Sequence, residues 1–85
     1  MAFYYEAEPP TWKFKERYGD WKKFPKRTGV KLEKLYKKIH DDGDTSVVEH
    51  VWKNDDQNTY KINLQTMSAQ NQHSYYRNSD VSREG

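Results

Sequence analysis

The chain predicts an α+β fold, in which one amphipathic helix lies across a strongly curved antiparallel sheet. Three observations carry this. Short alternating segments bracket a single stretch of helical period, giving the order β-β-α-β-β-(β). Aromatics make up 15% of the 85 residues, enough to build a core in a chain of which 33% is charged. Polar turn residues separate the alternating segments at short intervals.

The elements follow in order. Met1–Pro10 ends in Pro9-Pro10 and reads as an arm ahead of the domain. Thr11–Arg17 alternates, with Trp12 and Phe14 on one face and Lys13 and Lys15 on the other, which predicts a strand. Tyr18-Gly19-Asp20 forms a turn, and Trp21–Phe24 returns as a short strand stopped by Pro25. From Thr28 to Asp41 the period changes. Leu32, Leu35, Tyr36 and Ile39 fall at i, i+3, i+4 and i+7 with lysines outside the stripe, the pattern of an amphipathic helix. Thr28 is the expected N-cap and Gly43 the expected stop, with Lys37 and Lys38 complementing the helix dipole. Thr45–Trp52 is β-branched and alternating, hence a third strand; Lys53–Asn58 is a polar hairpin loop. Thr59–Leu64 is a fourth strand with Tyr60, Ile62 and Leu64 on one face. The amide-rich run Gln65–His73 is expected to be a turn or short helix around Met67, and Ser74–Val81 to supply one or two final short strands.

Composition excludes several classes. With no cysteine there is no disulfide framework, thiolate metal site or cysteine nucleophile, and a reducing compartment is compatible. No apolar run is long enough to span a membrane, and Met1–Pro10 lacks the basic start and apolar centre of a secretory signal. His40, His50 and His73 lie far apart without metal-ligand spacing. Asp41-Asp42-Gly43-Asp44 lacks the alternation and closing glutamate of a calcium loop. No Ser/His/Asp order or glycine-rich phosphate loop argues for an enzyme, and no cofactor is implied. The net charge of +2 is unevenly placed: basic residues crowd 13–38 and acidic ones 41–56. Lysines 22–38, interleaved with Trp21, Phe24 and Tyr36, read first as a solvated face and only secondarily as an RNA-binding patch.

Five short motifs in register resemble the WWE family. They are Trp12, Gly19-x-Trp21-x-x-Phe24, Leu32-Glu33-x-Leu35-Tyr36, Tyr60-x-Ile62-Asn63-Leu64 and the Met67 that follows three residues later. The resemblance runs over 11–83, treated as one domain with an arm at 1–10 and a tail at 84–85. It implies a half-barrel sheet with a helix packed in it. It also implies a non-catalytic module that binds poly(ADP-ribose), through iso-ADP-ribose, or a terminal ADP-ribose. The host would be a cytoplasmic or nuclear protein tied to ubiquitination or ADP-ribosylation, acting as a monomer with a protein partner as a further option.

On this resemblance the ligand-binding residues are Phe14, Trp21, Tyr60, Gln70, Arg77 and Arg83. The inventory suits the ligand chemically. Aromatic rings stack on adenine, a guanidinium forks onto pyrophosphate, and an amide serves ring edges and hydroxyls. The chain departs from the family pattern at four places. Ala69 stands where a glutamine is usual, with Gln70 next to it. Ser79 replaces an expected arginine, Asn63 an aspartate, and Phe14 a frequent tyrosine. These changes leave open a second reading, in which the fold is retained as a protein-interaction scaffold. The bland readings stand beside the sharp ones: Trp12 as core, Trp21 as core or rim, and Glu33 as an ion-pair partner on the helix.

Overall fold

The protein, described from a computed structural model over residues 10–15, 19–72 and 78–85, is a six-stranded antiparallel sheet with one helix packed on it. The strands are β1 (Thr11–Lys15), β2 (Trp21–Lys23), β3 (Glu49–Lys53), β4 (Thr59–Asn63), β5 (Ser68–Asn71) and β6 (Asn78–Glu84), and the helix is α1 (Lys26–His40). Their order in the sheet is β2-β1-β6-β5-β4-β3, curved but not closed, so β2 and β3 are its edges. The predicted α+β half-barrel is the observed architecture.

The register decides which side chains face the helix. Phe14 lies opposite Val81, Trp12 opposite Arg83, Ala69 opposite Ser79, Ile62 opposite both Ala69 and His50, and Tyr60 opposite Trp52 and Asn71. Directly opposed residues share a face of the sheet. The inner face therefore carries Trp12, Phe14, Val81, Ala69, Ile62, Tyr60 and Trp52. With Leu32 and Ile39 from the helix, and with Phe24 and Leu64, most of these make the core. Trp12, Leu32, Ile62 and Leu64 are all but inaccessible to solvent. The outer face is largely polar, Trp21 and Val51 excepted, with Lys13 bonded to Glu84 at 3.0 Å across β1 and β6.

Four expectations are corrected by local chemistry. The helix begins at Lys26 rather than after a Thr28 cap. Pro25, with φ −53°, forms its boundary without a side-chain cap, and its carbonyl accepts the Gly29 N–H at 2.9 Å. A proline already set near helical φ starts the turn, and Thr28 becomes a buried residue inside it. The strand expected from Thr45 begins only at Glu49. Asp44 Oδ1 accepts both the Ser46 N–H at 3.0 Å and its hydroxyl at 2.6 Å, a local turn that competes with sheet pairing.

Of the Gln65–His73 run, the described residues 65–72 are divided between turns and a strand. Asn63 Oδ1 accepts the N–H groups of Gln65 and Thr66, Met67 takes a positive φ of 55°, and β5 then runs from Ser68 to Asn71. Polar residues form this strand because both its neighbours supply a ladder and Ala69 is buried on the inner face. The final strand begins at Asn78 and continues to Glu84, past the expected Val81; residues 73–77, like 1–9 and 16–18, lie outside the described residues.

The helix stops as predicted in kind. Gly43 turns the chain at φ 67°, and the Asp44 N–H donates to the Lys38 carbonyl at 2.9 Å.

Candidate functional site

One end of the inner face is paved with aromatic rings. Phe14 on β1 lies 4.8 Å, centroid to centroid, from Phe24, 5.6 Å from Trp52 and 6.2 Å from Tyr60. Trp52 and Tyr60, paired across the β3–β4 hairpin, stack at 5.5 Å with an interplanar angle of 28°. Phe24 meets Trp52 edge-on at 5.0 Å. Phe14 and Phe24 are buried, whereas Trp52 and Tyr60 keep part of their surface in solvent. The antiparallel order brings the C-terminal ends of β1, β3 and β5 and the N-terminal ends of β4 and β6 together here. The two partly exposed rings are thus held by sheet backbone on one side and by buried phenylalanines on the other. Chemically, such a pair offers a stacking surface to a planar heterocycle.

The predicted site residues separate when placed on this frame. Phe14 and Tyr60 come together at the aromatic end. Trp21 stands opposite Lys15 on β1, hence on the face away from Phe14. It is 47% exposed, with the Lys15 ammonium 6.0 Å from its ring centroid. Gln70 lies opposite Lys61 and faces outward, exposed. Arg77 lies outside the described residues. Arg83 is on the inner face beside Trp12, but is engaged. Its Nε and Nη2 donate to the two carboxylate oxygens of Glu33 at 2.7 and 2.8 Å.

That ion pair is the centre of a second cluster. Glu33 Oε1 also accepts from the Trp12 indole at 3.0 Å. The Arg83 guanidinium lies 4.8 Å from the Tyr36 ring centroid, and Tyr36 meets Trp12 edge-on at 5.5 Å. The Arg83 hydrogen bond, more than any other contact, holds the Glu33 carboxyl below its ordinary range; partial burial opposes it, and the Trp12 bond and the charges of Arg83 and Lys37 assist. The sequence pointed to an ion pair for Glu33, with lysines as the nearest cations. The fold supplies an arginine fifty positions away instead.

Sequence reasoning passed over Trp52 as a site residue. Its signal was present: Trp52 and Tyr60 sit symmetrically about Asp56 in the polar loop, so a hairpin centred there pairs them. Asn71, across from Tyr60, and Ser79, across from Ala69, are the polar residues of the inner face nearest this end. Among the described residues no group of three His, Asp or Glu side chains is arranged to hold a metal ion, and no helix is long and apolar enough to cross a membrane.

An open antiparallel half-barrel, with one helix laid against it and an aromatic end left partly uncovered, defines a class of small one-helix domain. The chain belongs to the WWE domain family, whose family model matches residues 10–83. No individual curated protein matches it significantly. WWE domains are modules that bind ADP-ribose and poly(ADP-ribose), and the family is generally non-catalytic.

Proposed function

We propose that this chain is a non-catalytic reader of ADP-ribose, taking a terminal ADP-ribose or the iso-ADP-ribose unit of the polymer at its aromatic end. The observation that carries the reading is the partly exposed Trp52–Tyr60 stack backed by Phe14 and Phe24. Adenine stacked on one such ring is worth about 1–3 kcal/mol. Arg77 is the guanidinium proposed for the pyrophosphate, since Arg83 is committed to Glu33 and Lys61, opposite Gln70, faces outward. Trp21 and Gln70 are proposed as peripheral contacts, reached only by a ligand that extends over the strand edges. A role beside ubiquitination or ADP-ribosylation machinery, in cytoplasm or nucleus, is the setting this reading implies.

Calorimetry with ADP-ribose and iso-ADP-ribose tests it. Tyr60→Ala is expected to weaken binding and lower stability together, because its ring packs on the sheet as well as on ligand. Arg77→Ala is expected to weaken binding at least about tenfold, the loss of a charge-assisted hydrogen bond, while the Tm barely moves. Absence of heat and of chemical-shift change at Trp52 and Tyr60 with millimolar ligand refutes the reading.

A second reading, the fold kept as a protein-interaction scaffold, is favoured by the inner face itself. Ala69 and Ser79 oppose one another there, at positions where the family's ligand-binding members carry a glutamine and an arginine. A partner protein retained by Tyr60→Ala, together with silence toward both nucleotides, selects it.

A further inference from the structure

Alongside α1, toward the start of β1, lies a groove of about 530 Å³. Its floor and near wall are Trp12, Phe24, Gly29 and Val30. Among the described residues four lysines, Lys23, Lys26, Lys34 and Lys37, line it as well, and the one acid, Glu33, is already neutralised by Arg83. Lys26, Val30, Lys34 and Lys37 recur at i, i+4, i+8 and i+11, so they form one stripe along the helix. That stripe spans about 16 Å at 1.5 Å per residue. An extended chain rises about 3.3 Å per residue, so the groove accommodates roughly five residues.

Two features point away from mere packing. Val30 is a large apolar side chain left 44% exposed on the wall. Gly29 sits in the second turn of the helix, where glycine is less favourable than alanine by roughly 1 kcal/mol. Nothing in the fold demands it: an added Cβ would meet only Trp12 atoms, at 3.8 and 3.9 Å, an ordinary contact. What the glycine does provide is depth in the groove.

We propose that this groove docks an extended acidic segment of a partner protein, with an aromatic or aliphatic side chain inserted over Gly29 between Val30 and Phe24. The lysine stripe makes the ligand anionic, and the apolar floor requires an anchor. Trp12 and Phe24 are both in the core, at 2% and 6% exposure, so neither presents a ring face on which a nucleobase stacks. A concave groove suits a peptide chain rather than a lipid surface.

The test is amide and indole NMR of the intact chain, titrated with a capped synthetic pentapeptide alternating glutamate and phenylalanine. Resonances of Gly29, Val30, Lys34 and the Trp12 indole are expected to shift, with affinity falling as salt rises. The same peptide with lysine for glutamate is expected to leave them unmoved. Lys26→Glu combined with Lys34→Glu should weaken binding about tenfold or more. Gly29→Ala should raise the Tm while weakening the peptide, a pairing that a purely structural glycine does not produce. The proposal is overturned if millimolar peptide shifts nothing, or if the lysine peptide binds equally. It is also overturned if single-stranded RNA shifts the same resonances more strongly, or if they move with protein concentration alone, which would make a second copy the occupant. ADP-ribose reports on Trp52 and Tyr60 instead, so either proposal can fail while the other stands.

Discussion

Single side chains set the strongest constraints on this small domain. Glu33 binds Trp12 and Arg83 simultaneously, joining the helix to β1 and β6 through one carboxylate. Glu33→Gln retains the shape but loses the charge-assisted fork, and should cost about 1–3 kcal/mol in urea or thermal unfolding at neutral pH. The pH dependence has a definite sign. The Arg83 hydrogen bond holds the Glu33 carboxyl below its ordinary value of 4.5 in the folded protein. Its contribution is therefore complete above that value and is lost as pH falls from there through the folded pKa. Stability should decline across that acid window, and Glu33→Gln should decline less steeply. Trp52 is the residue-scale test of the site: Trp52→Ala is expected to weaken ADP-ribose binding about as much as Tyr60→Ala, read by calorimetry on variants shown to be folded.

At the scale of elements, ends and turns are where local chemistry overruled pattern. Gly43 adopts φ 67° in open space, with nothing within 4 Å of where a Cβ would lie. Gly43→Ala thus carries a conformational penalty alone, about 1 kcal/mol, measurable as a lowered Tm without loss of helix signal. The β3 edge offers a second prediction. His50 lies on the inner face opposite Ile62, and burial, aided by the Lys31 charge, lowers its pKa from the usual 6.5. The unfolded chain then binds the proton more readily. Stability conferred by neutral His50 is complete above pH 6.5 and falls as pH drops below that value through the folded pKa. Replacing His50 with Gln should remove that part of the pH profile and leave the lower, Glu33-dependent part in place.

Taken whole, the molecule depends on a core just large enough for its length. Ile62 is completely buried at the middle of the sheet, opposite Ala69 and His50. Ile62→Ala should cost about 2–5 kcal/mol, a large part of the 5–15 kcal/mol typical of a domain, so the variant should be partly unfolded at 37 °C. The core also separates two ends. The helix, Trp12, Glu33 and Arg83 close one, while the Trp52–Tyr60 stack remains partly open at the other.

The α+β class, the helix stripe from Leu32 to Ile39 and the sidedness of β1 and β4 were legible in the chain itself, because periodicity is a local consequence of burial on one face. Phe14 and Tyr60 could be placed on the inner face for the same reason, each alternating onto the buried side of its strand, whereas the ligand role proposed for them came from the family resemblance. Other facts depended on partners distant in sequence. Register alone turned Trp21 and Gln70 outward and set Trp52 against Tyr60. Packing alone gave Arg83 to Glu33 across fifty residues. The start of β3 and the strand character of Ser68–Asn71 also escaped pattern, since a side-chain turn at Asp44 and ladders on both sides of β5 outweigh residue propensity. A chain states which of its residues want burial or a charge partner; only the closed arrangement of strands decides which atoms satisfy them.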